Sequence, residues 1–272
     1  IKITDYLEEP VSNLNFLNIY WQSKQANEKG FKVILTGDGS DELFCGYERY
    51  YKILLANKLK YLSLFSKKIK KYNSLEPNEI PLFFHSLFKN MENINIFKNK
   101  INQNDLYQIN YYENKKFYNT LDYINYFDTR YWLTNENNYK LDKCTMINSI
   151  EARVPFQDKE IINQLFFVEN KKKIKLNNRK FLLKNNDFLP SYVKKRKKTG
   201  WFSPERIFLD INLNKIIKNY FEEKNINQQE IFNYNEVLKF LNYYQKKSYI
   251  IKREIVTTIL FQIWYNKVLS LK

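Results

Sequence analysis

The chain has 272 residues, 44% of them hydrophobic and 17% aromatic, so it can build the core of one large or two small domains. It carries 45 basic and 29 acidic residues, for a formal net charge of +16. Only seven of the basic residues are Arg, the side chain that leads in bidentate contacts to phosphates and bases. This composition favours a lysine-rich solvated surface over nucleic-acid binding. No apolar run approaches the roughly 18 residues that a membrane span requires, so no membrane partner is expected.

Cysteine and histidine are too few for several common kinds of site. Cys45 and Cys144 are the only cysteines and His85 is the only histidine, which excludes a disulfide scaffold and disfavours a Cys/His zinc site. The cytoplasm is the default compartment, and the polar first residues predict no signal peptide. His85 lies among apolar residues in LFFHSLF, so we expect a packed residue and not a member of a catalytic triad.

The first predicted elements are a helix and a strand. Residues 13–29 predict a helix with Leu14, Leu17 and Trp21 on one face and Gly30 at its end. The β-branched run at 31–36 predicts a buried strand.

A loop with three carboxylates follows this strand, in the segment TGDGSDELFCGY. Asp38, Asp41 and Glu42 are interleaved with glycines, as at a ligand site on the carboxyl edge of an open α/β sheet. Carboxylates this close repel one another, so we expect a cation, with Mg²⁺ on a nucleotide as a candidate. A helix is predicted from about Glu42 to Lys58, and its N-terminus beside the loop would favour anions.

Helical patterns dominate the rest of the chain. Residues 59–130 predict helices joined by polar loops, and 138–151 predict another helix. The segment 151–158 breaks at Pro155 and leads into a helix from about Lys159.

The C-terminal half begins with a strongly basic stretch. Between Lys171 and Lys198 there are twelve basic residues and one acid, Asp187, which could form a phosphate-facing edge around the loop 190–204. Residues 235–271 predict one or two amphipathic helices, with four core candidates: Ile255, Leu260, Ile263 and Trp264. Predicted strands are scarce, so we expect the remaining strands of the sheet upstream of Ile1.

Five segments in the same order resemble the synthetase half of the glutamine-dependent asparagine synthetase family. TGDGSDELFCGY resembles the family's SG(D/E)GxDE(L/V)FGGY, and YKLDKCTMINSIEARVPFQD resembles KxDRxxMxxSxEaRvPFLD. The other three segments are LEEPVSN, RKFLLKNNDFLPSYVKKRKKTGWFSP and TTILFQIWYN. Any one of these would be a modest signal, whereas five in order are a strong one.

The resemblance implies an α/β fold that is mostly α in this fragment. It implies part of an adenine nucleotide alpha hydrolase-like (ATP pyrophosphatase, PP-loop) domain with a helical C-terminal portion. Residues 1–58 would form the nucleotide-site half, 59–137 a variable helical region and 138–272 the helical C-terminal portion. The family's SGGxDS phosphate loop and its glutaminase domain do not occur in these residues. We expect both upstream, because the chain lacks an initiator Met and resembles only part of the family's length.

The resemblance also implies a reaction. A carbon–nitrogen ligase would use ATP and Mg²⁺ to convert aspartate to asparagine through a β-aspartyl-adenylate. Glutamine-derived ammonia would then displace AMP after pyrophosphate has left. Two alternatives stay open: a related ligase acting on another carboxylate (peptide cyclase, β-lactam-forming enzyme or polysaccharide amidotransferase), and a non-catalytic basic binding module. The oligomeric state is also open, with a homodimer among the alternatives.

The resemblance assigns two catalytic residues. Asp38 would orient the substrate or accept charge from its ammonium group, although an Asp here could also merely cap the following turn. Lys198 would hold pyrophosphate, with Lys197 as a rival because the register of this basic run could slip by one. A solvated loop is the alternative for the whole run.

Binding residues follow from the same motif. Thr36, Gly37 and Gly39 would contact ATP, the two glycines allowing close approach and positive φ. Asp41 would be a Mg²⁺ ligand or a helix N-cap, with Glu42 in a supporting role.

Glu151 and Arg153 would support the site as a buried ion pair. Three positions depart from the family pattern: Cys45 replaces a usual Gly, Lys143 a usual Arg and Gln157 a usual Leu.

Overall fold

The structure, a computed structural model, describes residues 2–59, 74, 79–85, 96–98, 117, 119–174, 188–196, 205–244 and 249–270. The fold is mostly helical with a small parallel sheet. No helix in these ranges combines the length and the apolar character that spanning a bilayer requires.

Helices make up most of the described chain. In order they are α1 (Asn15–Glu28), α2 (Ser40–Leu43), α3 (Glu48–Lys58), α4 (Glu79–His85), α5 (Thr120–Phe127), α6 (Tyr139–Met146), α7 (Lys159–Phe166), α8 (Asn170–Lys173), α9 (Ser191–Lys195), α10 (Glu205–Tyr220), α11 (Glu223–Gln229), α12 (Tyr234–Tyr244) and α13 (Tyr249–Ser270). A π-helix, Asp128–Asn138, joins α5 to α6, and short 3-10 helices occur at Lys2–Tyr6 and Pro155–Gln157.

The sheet consists of β1 (Val33–Leu35) and β2 (Glu151–Arg153), which pair in parallel. Ile34 lies opposite Ala152, and Ala152 packs on the main core between α1 and α6. The other face is open: Val33 is 37% exposed and Leu35 is 73% exposed. The prediction of a buried strand is therefore wrong for this face. Parallel sheets normally have both faces covered, and the described residues cover only one.

The main core lies where helices from both ends of the chain meet. Side chains of α1 and α6 pack there with those of α10, α12 and α13. Ile255, Leu260 and Ile263 of α13 are buried as predicted, at 4% exposure or less, while Trp264 is half-buried. The predicted terminal helices are confirmed as α12 and α13.

A smaller core lies on the far side of the carboxylate loop. Its buried members come from α3, α5 and the adjoining loops, namely Cys45, Tyr50, Ile53, Leu121, Ile124 and Ile174. The loop that follows β1 is thus held between two packed units.

Helix α1 matches its prediction at the C-terminal end. Gly30 has φ +83°, the left-handed conformation expected just beyond a helix. Of the three residues predicted on one face, Leu14 is buried and Leu17 packs against the core, whereas Trp21 is 54% exposed.

The predicted helix over 42–58 is two helices. α2 ends at Leu43 and α3 begins at Glu48, because Cys45 takes a left-handed φ of +53° that interrupts the helix. A four-residue α2 provides little helix dipole, so the expected anion-binding N-terminus beside the loop is not formed.

Two further helix predictions can be compared with the structure. The helix predicted from Lys159 is confirmed as α7, whereas the helix predicted over 138–151 ends at Met146 as α6, and Glu151 already belongs to β2. Most of 59–118 and the loop 197–204 lie outside the described residues.

Candidate functional site

A cleft of about 510 Å³ opens at the carboxyl end of β1, within the usual size range of small-molecule sites. Its lining residues come from β1 with the following loop, from α1 and from α6, namely Ile34, Leu35, Thr36, Gly37, Asp38, Ile19, Gln22 and Leu141. Three of the predicted site residues, Thr36, Gly37 and Asp38, therefore line one cleft with apolar neighbours.

Thr36 brings a hydroxyl group to this cleft. Its backbone N–H donates to the Arg153 carbonyl at 2.9 Å, which continues the pairing of the two strands. Its Oγ1 is buried and has no hydrogen-bond partner in the part of the chain that the structure describes. Buried polar groups are nearly always satisfied, so this hydroxyl is suited to a ligand contact.

The Asp38 carboxylate has no partner among the described side chains. It is half-buried, lines the cleft, and forms neither an ion pair nor a side-chain hydrogen bond there. The N-cap residue of α2 is Gly39, and no side chain caps this helix. The alternative that Asp38 caps the following turn is therefore wrong.

The two glycines of the loop differ. Gly39 has φ +91°, and a Cβ there would lie 2.6 Å from Cγ of Gln157, so both conformation and packing require glycine. Gly37 does not have a positive φ, so that expectation is wrong for this residue. A Cβ at Gly37 would meet no described atom within 4 Å, which leaves its backbone open to a ligand in this part of the structure.

Asp41 lies behind the cleft, on α2. Its backbone carbonyl accepts from the Gly46 N–H at 2.7 Å, and a Cβ on Gly46 would lie 2.1 Å from its Oδ1. The described residues contain no group of three or more His, Cys, Asp or Glu that could hold a metal ion. Mg²⁺ commonly takes one or two carboxylates and completes its shell with phosphates and water, so Asp41 could be one ligand of such an ion.

Glu42 is a buried carboxyl group beneath the loop, only 1% exposed. Its Oε1 accepts from the Tyr47 hydroxyl at 2.5 Å and from Asn137 Nδ2 at 3.0 Å. Burial is the main reason that its pKa is raised to about 7. The nearby charges of Asp41 and Asp128 also raise this pKa, whereas the hydrogen bond from Tyr47 lowers it. Glu42 is therefore poised between its neutral and charged forms near neutral pH.

Asp128 is the centre of a buried network next to Glu42. Its Oδ2 contacts Arg49 Nε and Nη2, each at 2.8 Å, and accepts from the Tyr50 hydroxyl at 2.5 Å. Its Oδ1 lies 2.7 Å from Nε2 of His85, which packs between Phe127 and Trp132. His85 is thus a packed residue of this network, as predicted.

The C-terminal end of the π-helix contacts the loop that carries the three carboxylates. Asn137 contacts Glu42, and Asn138 exchanges two hydrogen bonds with Gln157, at 2.8 and 2.9 Å. Gln157 Nε2 also donates to the Asp38 carbonyl at 3.3 Å. π-Helical turns occur frequently at functional sites. The run of Asn residues in a helical region, where Asn is a poor helix former, was the available signal for this element.

The Glu151–Arg153 pair is present but is not buried. Arg153 Nε lies 2.8 Å from Glu151 Oε1, and the two side chains are 61% and 59% exposed. Both project from the open face of the sheet, alternate to Ala152, so the prediction of a buried pair is wrong. Solvent screens such an exposed pair, so it contributes little to stability.

All three family departures have a clear structural setting, and that of Gln157 is its contacts with Asn138 and Asp38. Cys45 is 2% exposed, a small packed residue as expected, and its positive φ explains why Gly is usual there. Lys143 Nζ lies 2.7 Å from Glu8 Oε1, which ties α6 to the LEEP segment.

Lys197 and Lys198 lie outside the described residues.

Comparisons with known proteins identify relatives of this chain. A model of the asparagine synthase family matches residues 1–266. Asparagine synthetase [glutamine-hydrolyzing] 1 of Bacillus subtilis is 26% identical over 291 residues, which cover 97% of this chain and 45% of that protein. A putative asparagine synthetase of Methanocaldococcus jannaschii is 27% identical over 53% of this chain and 16% of its own length. A putative asparagine synthetase of Mycobacterium tuberculosis is 25% identical over 76% of this chain and 35% of its own length. The chain thus spans less than half the length of these curated relatives.

Proposed function

Because this chain belongs to the asparagine synthase family, we propose that it forms one wall of the ATP and carboxylate site of an amide-forming carbon–nitrogen ligase. The observation that carries the proposal is the cleft at the end of β1, where the Asp38 carboxylate, unpaired among the described residues, lies beside Thr36 and Gly37. Carboxyl edges of parallel strands are the usual ligand sites of open α/β sheets.

In the proposed reaction the full-length protein converts aspartate to asparagine. The side-chain carboxylate of aspartate attacks the α-phosphorus of ATP, and pyrophosphate leaves to give a β-aspartyl-adenylate. Glutamine-derived ammonia then attacks the acyl carbon, and AMP leaves with the bonding electrons while the ammonia loses a proton. The protein's task is to align the reactants and to offset the charge that develops on the leaving phosphates.

Each predicted residue has a task in this scheme. Asp38 would bind the ammonium group of aspartate, for which an unpaired carboxylate at the cleft wall is suited. Thr36 Oγ1 and the open backbone of Gly37 would contact ATP, and Gly39 would keep the turn close to them. The apolar walls formed by Ile19 and Leu141 suit a purine ring.

The metal and the catalytic lysine complete the scheme. Asp41 would hold Mg²⁺ together with the phosphates, and the ion would supply positive charge to the triphosphate. Lys198 would bind the departing pyrophosphate as a compact point charge. Glu42 supports the loop through Tyr47 and Asn137.

We also propose the domain arrangement that the resemblance implies. Residues 1–58 form the nucleotide-site half, 59–137 a variable helical region and 138–272 the helical C-terminal portion of an adenine nucleotide alpha hydrolase-like domain. The open sheet face with Val33 and Leu35 supports a further covering layer from segments outside the described residues, because a parallel sheet is normally covered on both faces. The SGGxDS phosphate loop and the glutaminase domain would come from segments outside these residues.

The test is ATP–pyrophosphate exchange by the full-length protein, with aspartate and a panel of other carboxylates. Aspartate-dependent exchange is expected, and Asp38→Ala is expected to reduce it by about 10²-fold or more, the usual cost of removing a charge-stabilising group. The exposed Glu48 provides a matched control, Glu48→Gln, which should leave exchange unchanged. Separate Lys197→Ala and Lys198→Ala variants decide between the two lysines.

Three results would change the proposal. Exchange that depends on another carboxylate would assign the protein to a different branch of amide-forming ligases. No exchange with any carboxylate, together with salt-sensitive polyanion binding, would indicate the basic binding module. Full activity of Asp38→Ala would remove Asp38 from the site.

A further inference from the structure

Gln157 packs directly behind the turn that carries Asp38. Its Nε2 donates to the Asp38 carbonyl oxygen at 3.3 Å, and its Cγ lies where a Cβ on Gly39 would come within 2.6 Å. The turn at Gly39 therefore packs directly against the Gln157 side chain. A shift of Gln157 would open a gap behind Gly39 and release the Asp38 carbonyl.

Asn138 fixes the orientation of the Gln157 amide. Asn138 Nδ2 donates to Gln157 Oε1 at 2.8 Å, and Gln157 Nε2 donates to Asn138 Oδ1 at 2.9 Å. With its oxygen engaged by Asn138, the amide can present only its nitrogen to Asp38. The two side chains thus form one unit, which we call the amide clamp.

The amide clamp connects the loop to the π-helix. Asn138 is the last residue of the π-helix, and the preceding Asn137 binds Glu42 at the other end of the same loop. Gln157 ends the short 3-10 helix that follows β2, and Thr36 pairs with β2 at Arg153. The segment from Thr36 to Glu42 is therefore held from two elements about 100 residues away in sequence.

We propose that Gln157, held by Asn138, is a positioning residue that sets the direction of the Asp38 carboxylate in the cleft. This inference rests on the proposed function, since it assigns Gln157 to the orientation of a group that meets the substrate. The family pattern has Leu where this chain has Gln157, and Leu has neither donor nor acceptor. The clamp is thus a feature of this chain, in which a hydrogen bond replaces purely apolar packing behind the turn.

The experiment compares variants of the full-length protein by steady-state ATP–pyrophosphate exchange and by amide hydrogen exchange. Gln157→Leu is expected to lower kcat about tenfold while the KM for ATP stays within about twofold, because one hydrogen bond to a positioned group is lost. Amide hydrogen exchange in Asp38–Leu43 is expected to become faster, with that of α1 unchanged. The matched control is Gln164→Leu on α7, where the side chain is exposed and no change is expected.

Two further variants separate a positioning role from a packing role. Gln157→Glu keeps an acceptor for Asn138 and the packing on Gly39, but it cannot donate to the Asp38 carbonyl, so it should behave like Gln157→Leu. Asn138→Asp keeps the acceptor for Gln157 Nε2 but loses the donor to Gln157 Oε1, so it should lower kcat less than Gln157→Leu does but measurably below wild type. Wild-type behaviour of Gln157→Glu in both measurements would refute the clamp.

The two proposals fail in different ways. If the wild-type protein shows no pyrophosphate exchange with any carboxylate, the proposed function is wrong, and amide hydrogen exchange alone decides whether the clamp orders the loop. If wild type is active and Gln157→Leu matches it in kcat and in amide exchange, the clamp is wrong while the proposed function stands.

Discussion

The buried Glu42 predicts a pH dependence of stability that can be measured directly. Its carboxyl group has an ordinary pKa of 4.5, and burial, the largest cause, raises it to about 7 in the folded chain. The folded chain therefore binds this proton more tightly than the unfolded chain does. The contribution of Glu42 to stability is most favourable below about pH 4.5, falls as the pH rises to about 7 and then stays constant. The size of the fall is about 3 kcal/mol, because one pKa unit corresponds to about 1.4 kcal/mol.

The variant Glu42→Gln tests this reasoning. The amide keeps an oxygen that can accept from Tyr47 and Asn137, but it has no charge that burial must desolvate. Relative to wild type, the variant is expected to gain about 3 kcal/mol of stability between about pH 5 and pH 8. Urea unfolding of the chain, followed by circular dichroism across this range, measures the difference.

The control for this measurement is Glu48→Gln. Glu48 begins α3, and its exposed side chain pairs with Lys52 at 2.9 Å. This variant should keep the pH dependence of wild type. If Glu42→Gln also keeps it, the carboxyl group does not titrate near neutral pH and the burial argument is refuted.

Three further predictions concern the two cores and the thiols. Asp128→Ala leaves the guanidinium of Arg49 buried without its partner, so urea unfolding should report a loss of about 3–5 kcal/mol; a loss below about 1 kcal/mol would mean that Arg49 finds water instead. Ile255→Ala removes a fully buried side chain from the main core and should cost about 2–5 kcal/mol in the same assay. Burial raises the pKa of both Cys45 and Cys144 to about 12, so neither thiol should react with a thiol reagent at neutral pH until the chain is unfolded, and rapid labelling of the native chain would contradict their burial.

The residues of the cleft could be predicted because they are close together in sequence. Thr36, Gly37 and Asp38 follow directly from the end of β1, and strand ends in parallel sheets are where ligands bind. The β-branched run before them and the Gly30 helix end were local signals of the same kind.

The supports of the site could not be predicted, because they depend on tertiary contacts. Asn138 and Gln157 reach the loop from about 100 residues away, and no local pattern pairs them with Asp38. Asp128 likewise collects its partners from α3 and α4.

The predictions that the structure contradicts also have physical explanations. β2 has the sequence EAR, which lacks strand formers, and it is a strand because it pairs with β1. The buried-pair prediction for Glu151 and Arg153 assumed a covered sheet. The helical pattern of 42–58 gives no sign of the break at Cys45, and the available signal was the Gly that the family usually has at this position.

The open edge of the sheet has a practical consequence for this chain when it is produced alone. Among the described residues the outer edge of β1 has no strand partner, and it lies beside the exposed Phe31, Val33 and Leu35, a template on which another chain could add a strand. β2 carries Glu151 and Arg153 on the same face, and charged side chains of this kind discourage edge-to-edge pairing. Self-association and precipitation should therefore begin at β1, and a single lysine in place of Val33 should improve solubility more than any change on β2.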